Sequence, residues 1–176
     1  MIYLDNAATT PPDGSVVETF NEVCQSFWAN PHSLHLPGER AEQLLEQARA
    51  QVVDLLDGRG YRAIFTSGAT ESNNLALKGV FEQHQARGNH IISTNSEHPS
   101  VENVLRWLES QGAFVTRLAV GSEGTVTPTQ VQEALTEGTI LVSTLFVNNE
   151  SGAVNPIAEI AAVLASHRAL YHIDGV

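Results

Sequence analysis

The 176-residue chain contains 42% hydrophobic and 16% charged residues, a composition typical of a globular protein with a substantial core. Its 20 acidic residues against nine basic ones give a formal net charge of −11, and the absence of a basic run argues against a nucleic-acid or anionic-membrane surface. No apolar run is long enough to span a bilayer, no signal-peptide pattern begins the sequence, and a single cysteine excludes an internal disulfide. We therefore expect a cytoplasmic protein.

Hydrophobic periodicity predicts alternating helices and strands after a polar N-terminal arm, residues 1–13. Helices are predicted at 14–29, 39–57, 71–86, 99–111, 127–136 and 156–167, and strands at 62–66, 90–94, 113–119, 139–147 and 169–174. The segment 139–147 is almost continuously apolar and β-branched, as expected for a strand that is covered on both faces. The repeated strand–helix units favour an α/β fold with a mainly parallel, doubly wound sheet.

Two residues with reactive side chains occur once each. Cys24 lies within the first predicted helix, whose residues Val16 and Phe20 are predicted to face inward, and we interpret it as a small core residue. Lys78, the only lysine, lies on the predicted helix 71–86, where we expect a solvated position. It is about 12 Å along the helix from Thr70, at 1.5 Å per residue.

A short apolar run at 62–66 stops at a turn of small residues, and a helical pattern begins at once. This 67–72 turn (Ser-Gly-Ala-Thr-Glu-Ser) has the strand–turn–helix geometry in which free backbone N–H groups and the helix dipole can hold a phosphate. The alternative is an ordinary turn between a strand and a helix, with Thr70 as the N-cap.

Polar side chains follow three further predicted strands. His98 comes after the strand at 90–94, Asn149 after the strand at 139–147, and Asp174 ends the last strand. Because ligands of such sheets bind beyond the carboxyl ends of the strands, we expect these side chains to converge near the 67–72 turn. Taken alone, Asp174 is equally compatible with capping a following helix.

A flat, phosphorylated nitrogen heteroaromatic ligand suits this set of side chains. Its phosphate would lie on the 67–72 turn, while His98 would stack on the ring and Asn149 would bond a ring oxygen or the substrate. Asp174 would accept a hydrogen bond from the ring nitrogen and keep that nitrogen protonated. A protonated ring nitrogen makes pyridoxal phosphate an electron sink for carbanions.

Five segments carry a family resemblance. They occur in the family's order: 4–10 (Leu-Asp-Asn-Ala-Ala-Thr-Thr), 30–33 (Asn-Pro-His-Ser), 67–74 (Ser-Gly-Ala-Thr-Glu-Ser-Asn-Asn), 97–98 (Glu-His) and 147–152 (Val-Asn-Asn-Glu-Ser-Gly). In these segments, which span essentially the whole chain, the sequence resembles the cysteine desulfurases. Those enzymes belong to the class V aminotransferase group of fold-type-I pyridoxal-phosphate enzymes.

The resemblance implies a role for each candidate residue. Ala69 and Thr70 would bind the phosphate of pyridoxal 5'-phosphate, and Asp174 would pair with its ring nitrogen. His98 would stack on the pyridine and serve in acid–base steps, and Asn149 would contact the cofactor oxygen and the substrate. Residues 1–13 would be an arm belonging to the small domain or the dimer contact. Residues 14–176 would form the N-terminal part of the large, cofactor-binding domain.

The family reaction converts L-cysteine to L-alanine and leaves a persulfide on an enzyme cysteine, supplying sulfur for iron–sulfur clusters or thiolation. The sulfur acceptor is not encoded in these motifs, and the resemblance implies a homodimer for the parent enzyme.

In the family, the Schiff-base lysine and the persulfide cysteine lie beyond the segment that Asp174 ends. We therefore expect the N-terminal part of a longer enzyme, inactive alone and without an internal aldimine to a lysine of its own. In this fold class the strand at 62–66 pairs with strands from later sequence, so we expect it to lack its neighbours here.

Two alternatives remain open: a non-catalytic fragment that binds pyridoxal phosphate, phosphate or a partner, or another class V enzyme such as a selenocysteine lyase or an aminotransferase. A metal site is not expected, because His32 and His35 have no flanking carboxylate cluster or metal-ligand motif. His84, His90, His167 and His172 are interpreted as surface or strand-packing residues.

Overall fold

A computed structural model describes residues 2–176. The chain divides into two compact units, the first ending at Phe65 and the second running from Thr66 to Val176. Residues 2–13 form no helix or strand, and the assignment of residues 1–13 to an arm of a small domain or dimer contact stays a prediction.

The first unit contains two helices, α1 (Gly14–Ser26) and α2 (Leu36–Leu55). The carboxylate of Asp13 accepts the Ser15 N–H and caps α1, because a side-chain oxygen at this position satisfies a donor that the helix leaves free. His35 caps α2 in the same way by accepting the Gly38 N–H through Nδ1. Helix α2 therefore begins three residues before its predicted start.

Two expectations for the first unit are wrong. The apolar face of α1 is exposed: it buries no residue, Phe20 is 67% exposed, and Cys24 is an exposed thiol instead of a core residue. Residues 62–66 form no strand, because a strand needs a backbone partner and the described part of the first unit, from residue 2 onward, contains no other strand to supply one. The segment is held by a side chain instead, since the Arg49 guanidinium donates to the Ala63 carbonyl at 2.6 Å.

The second unit alternates helices and strands as predicted. Its elements are α3 (Ala69–His84), β1 (His90–Thr94), α4 (Pro99–Ser110), β2 (Phe114–Leu118), α5 (Pro128–Ala134), β3 (Thr139–Leu145), α6 (Ile157–Leu164) and β4 (Leu170–Asp174). Helix α5 begins with a capping box, in which Thr127 and Gln130 each bond the other's backbone N–H.

The four strands form one sheet in the order β2-β1-β3-β4, and every neighbouring pair is parallel. All residues of β1 and β3 are buried. For β3 this burial confirms the prediction from the nearly continuous apolar run 139–147 of a strand that is covered on both faces. One core cluster joins α3 and α4 to one face of the sheet, and the second joins α5 and α6 to the opposite face. The predicted parallel, doubly wound α/β sheet is confirmed.

Among residues 2–176, no helix is both long enough and apolar enough to cross a membrane.

Candidate functional site

The strand order creates a crevice between β1 and β3. From β1 the chain moves outward to β2, and it then returns across β1 to build β3 and β4 on the other side. The loops that leave the carboxyl ends of β1 and β3 therefore diverge, which is the usual location of a ligand site in an open α/β sheet. We refer to this space as the switch-point crevice. The loops 95–98 and 146–149 border it.

The 67–72 turn leads into α3 with a set of internal side-chain bonds. Glu71 Oε2 accepts the Ser67 N–H at 2.6 Å and the Ser67 hydroxyl at 2.7 Å, and these bonds lower the pKa of Glu71. Thr66 Oγ1 lies 2.7 Å from Ser72 Oγ. The turn is thus fixed by contacts among its own side chains before any ligand binds.

The first helical N–H groups of α3 remain available in this turn. The N-cap is Gly68, which offers no side-chain hydrogen bond, and Ala69 and Thr70 are the first two helical residues. The alternative of Thr70 as an N-cap is therefore wrong. A Cβ added at Gly68 would meet no atom within 4 Å, so the space above the turn is open to an anion.

A buried amide connects α3 to the end of the sheet. Asn73, on the second turn of α3, is 3% exposed. Its Nδ2 donates to Asp174 Oδ2 and to Ser100 Oγ, each at 2.9 Å, and its Oδ1 lies 3.1 Å from His172 Nε2. Because the other nitrogen of His172 is bonded to Ser143 Oγ at 2.9 Å, the amide sits in a fully bonded network. This network fixes the orientation of the Asp174 carboxyl group.

Asp174 is buried without a basic partner. It is 4% exposed, and no lysine, arginine or histidine within the described part of the chain forms an ion pair with it. Besides Asn73, its carboxyl group accepts among residues 2–176 only a long bond of 3.4 Å from the Val176 N–H. Burying a carboxylate is costly unless a cation or further donors balance it. The position therefore suits a ligand that brings a positively charged N–H donor.

His98 stands at the start of α4, at the edge of the crevice. Its Nδ1 accepts the Ser100 N–H at 3.2 Å and lies 2.8 Å from Ser100 Oγ. Since Nδ1 accepts a hydrogen bond, the neutral ring carries its proton on Nε2. Ser100 Oγ also accepts from Asn73, so a continuous chain of hydrogen bonds runs from Asp174 through Asn73 and Ser100 to His98.

The two neighbouring asparagines after β3 have different surroundings. Asn148 shapes the loop: its Nδ2 donates to the Ser96 carbonyl at 3.1 Å, and its Oδ1 accepts the N–H groups of Glu150 and Ser151. Asn149 is held in this loop with its side chain exposed. All five predicted site residues belong to the second unit: Ala69, Thr70, His98, Asn149 and Asp174. The hydrogen-bond chain through Asn73 and Ser100 links His98 to Asp174.

Three residues of this region are not predicted from the sequence as part of a site: Asn73, Ser100 and His172. Asn73 and Ser100 lie inside predicted helices, where the helical pattern does not distinguish them from surface polar residues, although Asn73 falls within the resemblance segment 67–74. His172 was interpreted as a surface or packing residue, but its ring is bonded to Asn73 and Ser143, and burial lowers its pKa. Each of the three lies two or three residues from a predicted site residue: Asn73 follows Thr70, Ser100 follows His98, and His172 precedes Asp174. This spacing becomes informative only once the strand order is known.

Glu97 is a further acidic group at the crevice. Its Oε1 accepts the Thr94 hydroxyl at 2.6 Å and the Leu145 N–H at 3.1 Å, while its Oε2 is buried without a partner among residues 2–176. Burial raises the pKa of Glu97 to about 7, and the charge of Asp174 adds to the shift.

Lys78 is not solvated in the way expected. Its Nζ lies 4.6 Å from the centroid of the Trp107 ring, and the side chain is half-buried between α3 and α4. A cation over an indole face is stabilised by the ring quadrupole. The ammonium is thus engaged on the helical layer and not at the carboxyl ends of the strands.

The switch-point crevice, the open α3 N-terminus and the buried Asp174 define an α/β protein with a candidate ligand site at its topological switch point. The family model for class-V aminotransferases matches residues 2–176. The chain belongs to the class-V aminotransferase family.

Curated relatives agree over the full length of the chain. A protein of Lactobacillus delbrueckii subsp. bulgaricus described as a NifS/IcsS protein homolog is 46% identical, and the match covers 100% of this chain and 46% of the relative. The cysteine desulfurase IscS of Pseudomonas fluorescens is 43% identical, with 99% of this chain and 44% of the relative covered. The chain thus spans about half the length of the curated relatives it matches.

Solved structures share the fold. A NifS-like protein superimposes with a TM-score of 0.93 at 33% identity, over 99% of this chain and 48% of its own. A structure of SspA in complex with cysteine gives a TM-score of 0.89 at 36% identity, over 98% of this chain and 50% of its own. These similarities extend through both units of the chain.

Proposed function

We propose that the chain is the N-terminal, cofactor-binding part of a pyridoxal-phosphate-dependent cysteine desulfurase. The observation that carries the proposal is Asp174, a buried carboxyl group without a basic partner in the described residues, at the end of β4. The cysteine desulfurases among the relatives support the class of reaction, the conversion of L-cysteine to L-alanine with a persulfide left on an enzyme cysteine.

The donors of the site fit this cofactor. The free N–H groups at Ala69 and Thr70, with open space above Gly68, suit a phosphate. The Asp174 carboxyl group suits a protonated ring nitrogen, and His98 and Asn149 would contact the ring and its oxygen. When bound, pyridoxal phosphate supplies an electron sink for the substrate carbanion.

The side chains of this chain would orient the cofactor and transfer protons. Asn73 holds the Asp174 carboxyl group in one orientation toward the candidate site. His98 has its Nδ1 occupied by Ser100 and its Nε2–H free to point at a ligand, which suits a group that donates the Nε2 proton and then takes it back. The chain of hydrogen bonds from Asp174 to His98 keeps the two side chains at a fixed separation and orientation.

The remaining chemical groups would come from outside this chain. The ammonium of Lys78 is engaged with Trp107, so we propose that residues beyond Val176 provide the Schiff-base lysine and the persulfide cysteine. The chain alone would then be inactive, and the parent enzyme would be a cytoplasmic homodimer that acts on L-cysteine.

The cofactor assignment is tested with the 176-residue protein and pyridoxine 5'-phosphate, which has no aldehyde and therefore cannot react with lysine. Titration calorimetry should give weak binding that Asp174→Ala reduces at least tenfold, because the ring nitrogen loses its charged partner. The control is Asp54→Ala, an exposed carboxylate on α2, which should leave the dissociation constant unchanged. Equal binding by both variants would contradict the assignment.

The exclusion of Lys78 is tested with pyridoxal phosphate itself. After borohydride reduction, peptide mapping should find little label on Lys78, since its ammonium lies over Trp107. Efficient labelling at that one position would contradict the proposal.

The reaction is tested by joining this chain to the C-terminal remainder of the Pseudomonas fluorescens relative. The chimera should release alanine and, with a thiol reductant, sulfide from L-cysteine, whereas His98→Ala should reduce turnover about 100-fold. Side-by-side assays with L-selenocysteine and with amino-group acceptors separate a selenocysteine lyase or an aminotransferase from a desulfurase.

A further inference from the structure

The backbone pairing between β1 and β3 ends before the strands do. Strand β1 stays paired with β2 as far as Thr94, but with β3 its last pair is Ile92 with Val142. Strand β3 nevertheless continues to Leu145. The carboxyl ends of the two central strands thus separate at the point where the switch-point crevice opens. Side chains must hold this part of the sheet together.

Glu97 spans the separation. Its Oε1 accepts one hydrogen bond from the Thr94 hydroxyl at the end of β1 and another from the Leu145 N–H at the end of β3. The Leu145 N–H is a backbone donor in a buried strand, and leaving it unpaired would carry the desolvation cost of a buried donor. The carboxyl group therefore replaces the missing ladder bond.

The two ends that Glu97 joins carry the candidate ligand contacts. Leu145 is the register partner of Asp174, and the next N–H along the chain, that of Phe146, donates to the Asp174 carbonyl at 2.8 Å. On the other side, His98 follows Glu97 directly in sequence. A shift at Glu97 would consequently move His98 relative to Asp174 and to the loop that holds Asn149.

We propose that Glu97 is a positioning residue for the candidate site: its carboxyl group clamps the separated ends of β1 and β3 and thereby sets the positions of His98 and Asn149. The proposal concerns the same site as the proposed function, but the clamp itself can be tested without any ligand.

The protonation state of the clamp follows from its surroundings. Burial raises the pKa of Glu97 to about 7, the bonds from Thr94 and Leu145 act against the shift, and the charges of Asp174 and Glu102 add to it. The phenol of Tyr171 on β4 also faces this carboxyl group. Because Oε1 accepts both hydrogen bonds, the proton resides on the buried Oε2 below neutral pH.

Two variants separate the acceptor from the charge. Glu97→Gln keeps the volume and the accepting oxygen without an ionisable proton, whereas Glu97→Leu keeps the volume but removes the acceptor. Glu133→Gln, an exposed residue of α5, is the matched control. All are compared by amide hydrogen exchange and chemical shifts in the 176-residue protein, with the protected amides of Ile92 and Val142 as the measure of an intact sheet.

Glu97→Leu should accelerate exchange of the Leu145 amide at least tenfold and shift the His98 ring and Asn149 side-chain amide resonances. Glu97→Gln should restore all three to values near those of the unchanged protein. In the unchanged protein the Leu145 amide shift should titrate with a midpoint near pH 7, and this titration should be absent from Glu97→Gln. A passive space-filling residue would produce no such titration.

Unchanged exchange at Leu145 in Glu97→Leu would overturn the clamp. Accelerated exchange with unmoved His98 and Asn149 resonances would overturn the positioning role. If the unchanged protein fails to bind pyridoxine 5'-phosphate, the cofactor assignment fails, while the exchange and shift results still decide the clamp.

Discussion

Helices α1 and α4 have similar lengths and similar amphipathic patterns, but they differ completely in burial. The 12-residue α4 buries five of its side chains against α3 and the sheet. The 13-residue α1 buries none, and its apolar residues Val16 and Phe20 are exposed. The first unit consists of helices and irregular segments, whereas the second contains a sheet that can receive an apolar helix face on each side.

The comparison separates two properties that a periodic sequence is often taken to predict together. An apolar stripe at a 3.6-residue spacing favours a helix, and both segments are helical. Burial of the stripe requires a second apolar surface, which β1 and β3 provide for α4. If burial of the apolar face stabilises the helix, the free energy of unfolding should depend on burial and not on the spacing of apolar residues alone.

The largest expected difference is between Leu105→Ala on α4 and Phe20→Ala on α1. Leu105 is fully buried, so its truncation should lower the free energy of unfolding by about 2–5 kcal/mol, through lost transfer energy and the cavity left behind. The exposed Phe20 should cost less than about 0.5 kcal/mol. Urea titration followed by fluorescence measures both.

Two tryptophans make that measurement specific, since Trp28 lies in the first unit and Trp107 on α4. A Trp28→Phe background makes the fluorescence report the second unit for Leu105→Ala, and a Trp107→Phe background makes it report the first unit for Phe20→Ala. Comparable losses for the two truncations would contradict the assignment of α1 as an exposed helix.

Much of the second unit was predictable from sequence, because its elements satisfy local and global requirements together. The run 139–147 reads as a doubly covered strand and contains β3, which is buried throughout. Residues 62–66 are also predicted as a strand, yet they form none without a neighbour for backbone pairing. Propensity is local, but a ladder is a property of two segments.

The candidate site was predictable to the extent that polar residues stand at strand ends. His98, Asn149 and Asp174 were found in that way, and their roles toward a ligand stay predictions. Asn73 and Glu97 were not found, since their importance depends on the close approach of α3 to β4 and on where the β1–β3 pairing ends. Neither feature can be recognised from the sequence of a single segment.

A smaller effect is expected at Asn73, compared with its neighbour Asn74 on the same turn of α3. Asn73→Ala removes a buried donor from Asp174 and Ser100 and should cost about 1–3 kcal/mol of unfolding free energy. Asn74→Ala removes only a bond to the Thr70 carbonyl within the helix, and alanine's helix propensity offsets the loss. Thermal unfolding of both variants measures the difference.

A second measurement tests whether Asn73 acts through the hydrogen-bond network or through a single contact. Loss of Asn73 should move the ring resonances of His98 as well as those of His172, because both are connected through the same amide. A destabilised Asn73→Ala protein with unmoved histidine resonances would show that the amide merely fills space.

The smallest effect concerns ion pairs, which again differ between the units. Arg117 on β2 binds both oxygens of Glu109 at 2.8 and 2.9 Å and donates to Glu102 at 3.0 Å, so it joins β2 to α4. In the first unit, Arg59 lies 3.5 Å from Asp57 with both side chains almost fully exposed. Arg117→Met should therefore cost about 1 kcal/mol at neutral pH after solvent screening, whereas Arg59→Met should produce no measurable change.

The pH dependence of the Arg117→Met effect follows from the carboxylates. The bonds from Arg117 lower the pKa of Glu109; at Glu102, burial opposes a similar lowering that Arg117 and Arg106 cause. A lowered carboxyl pKa contributes stability above its unfolded value near 4.5 and loses it as the pH falls through the folded value. The difference between Arg117→Met and the unchanged protein should hence be full at pH 7 and shrink steadily below pH 4.5. A constant difference from pH 7 to pH 3 would mean that Arg117 acts through the packing of its aliphatic stem and not through its charge.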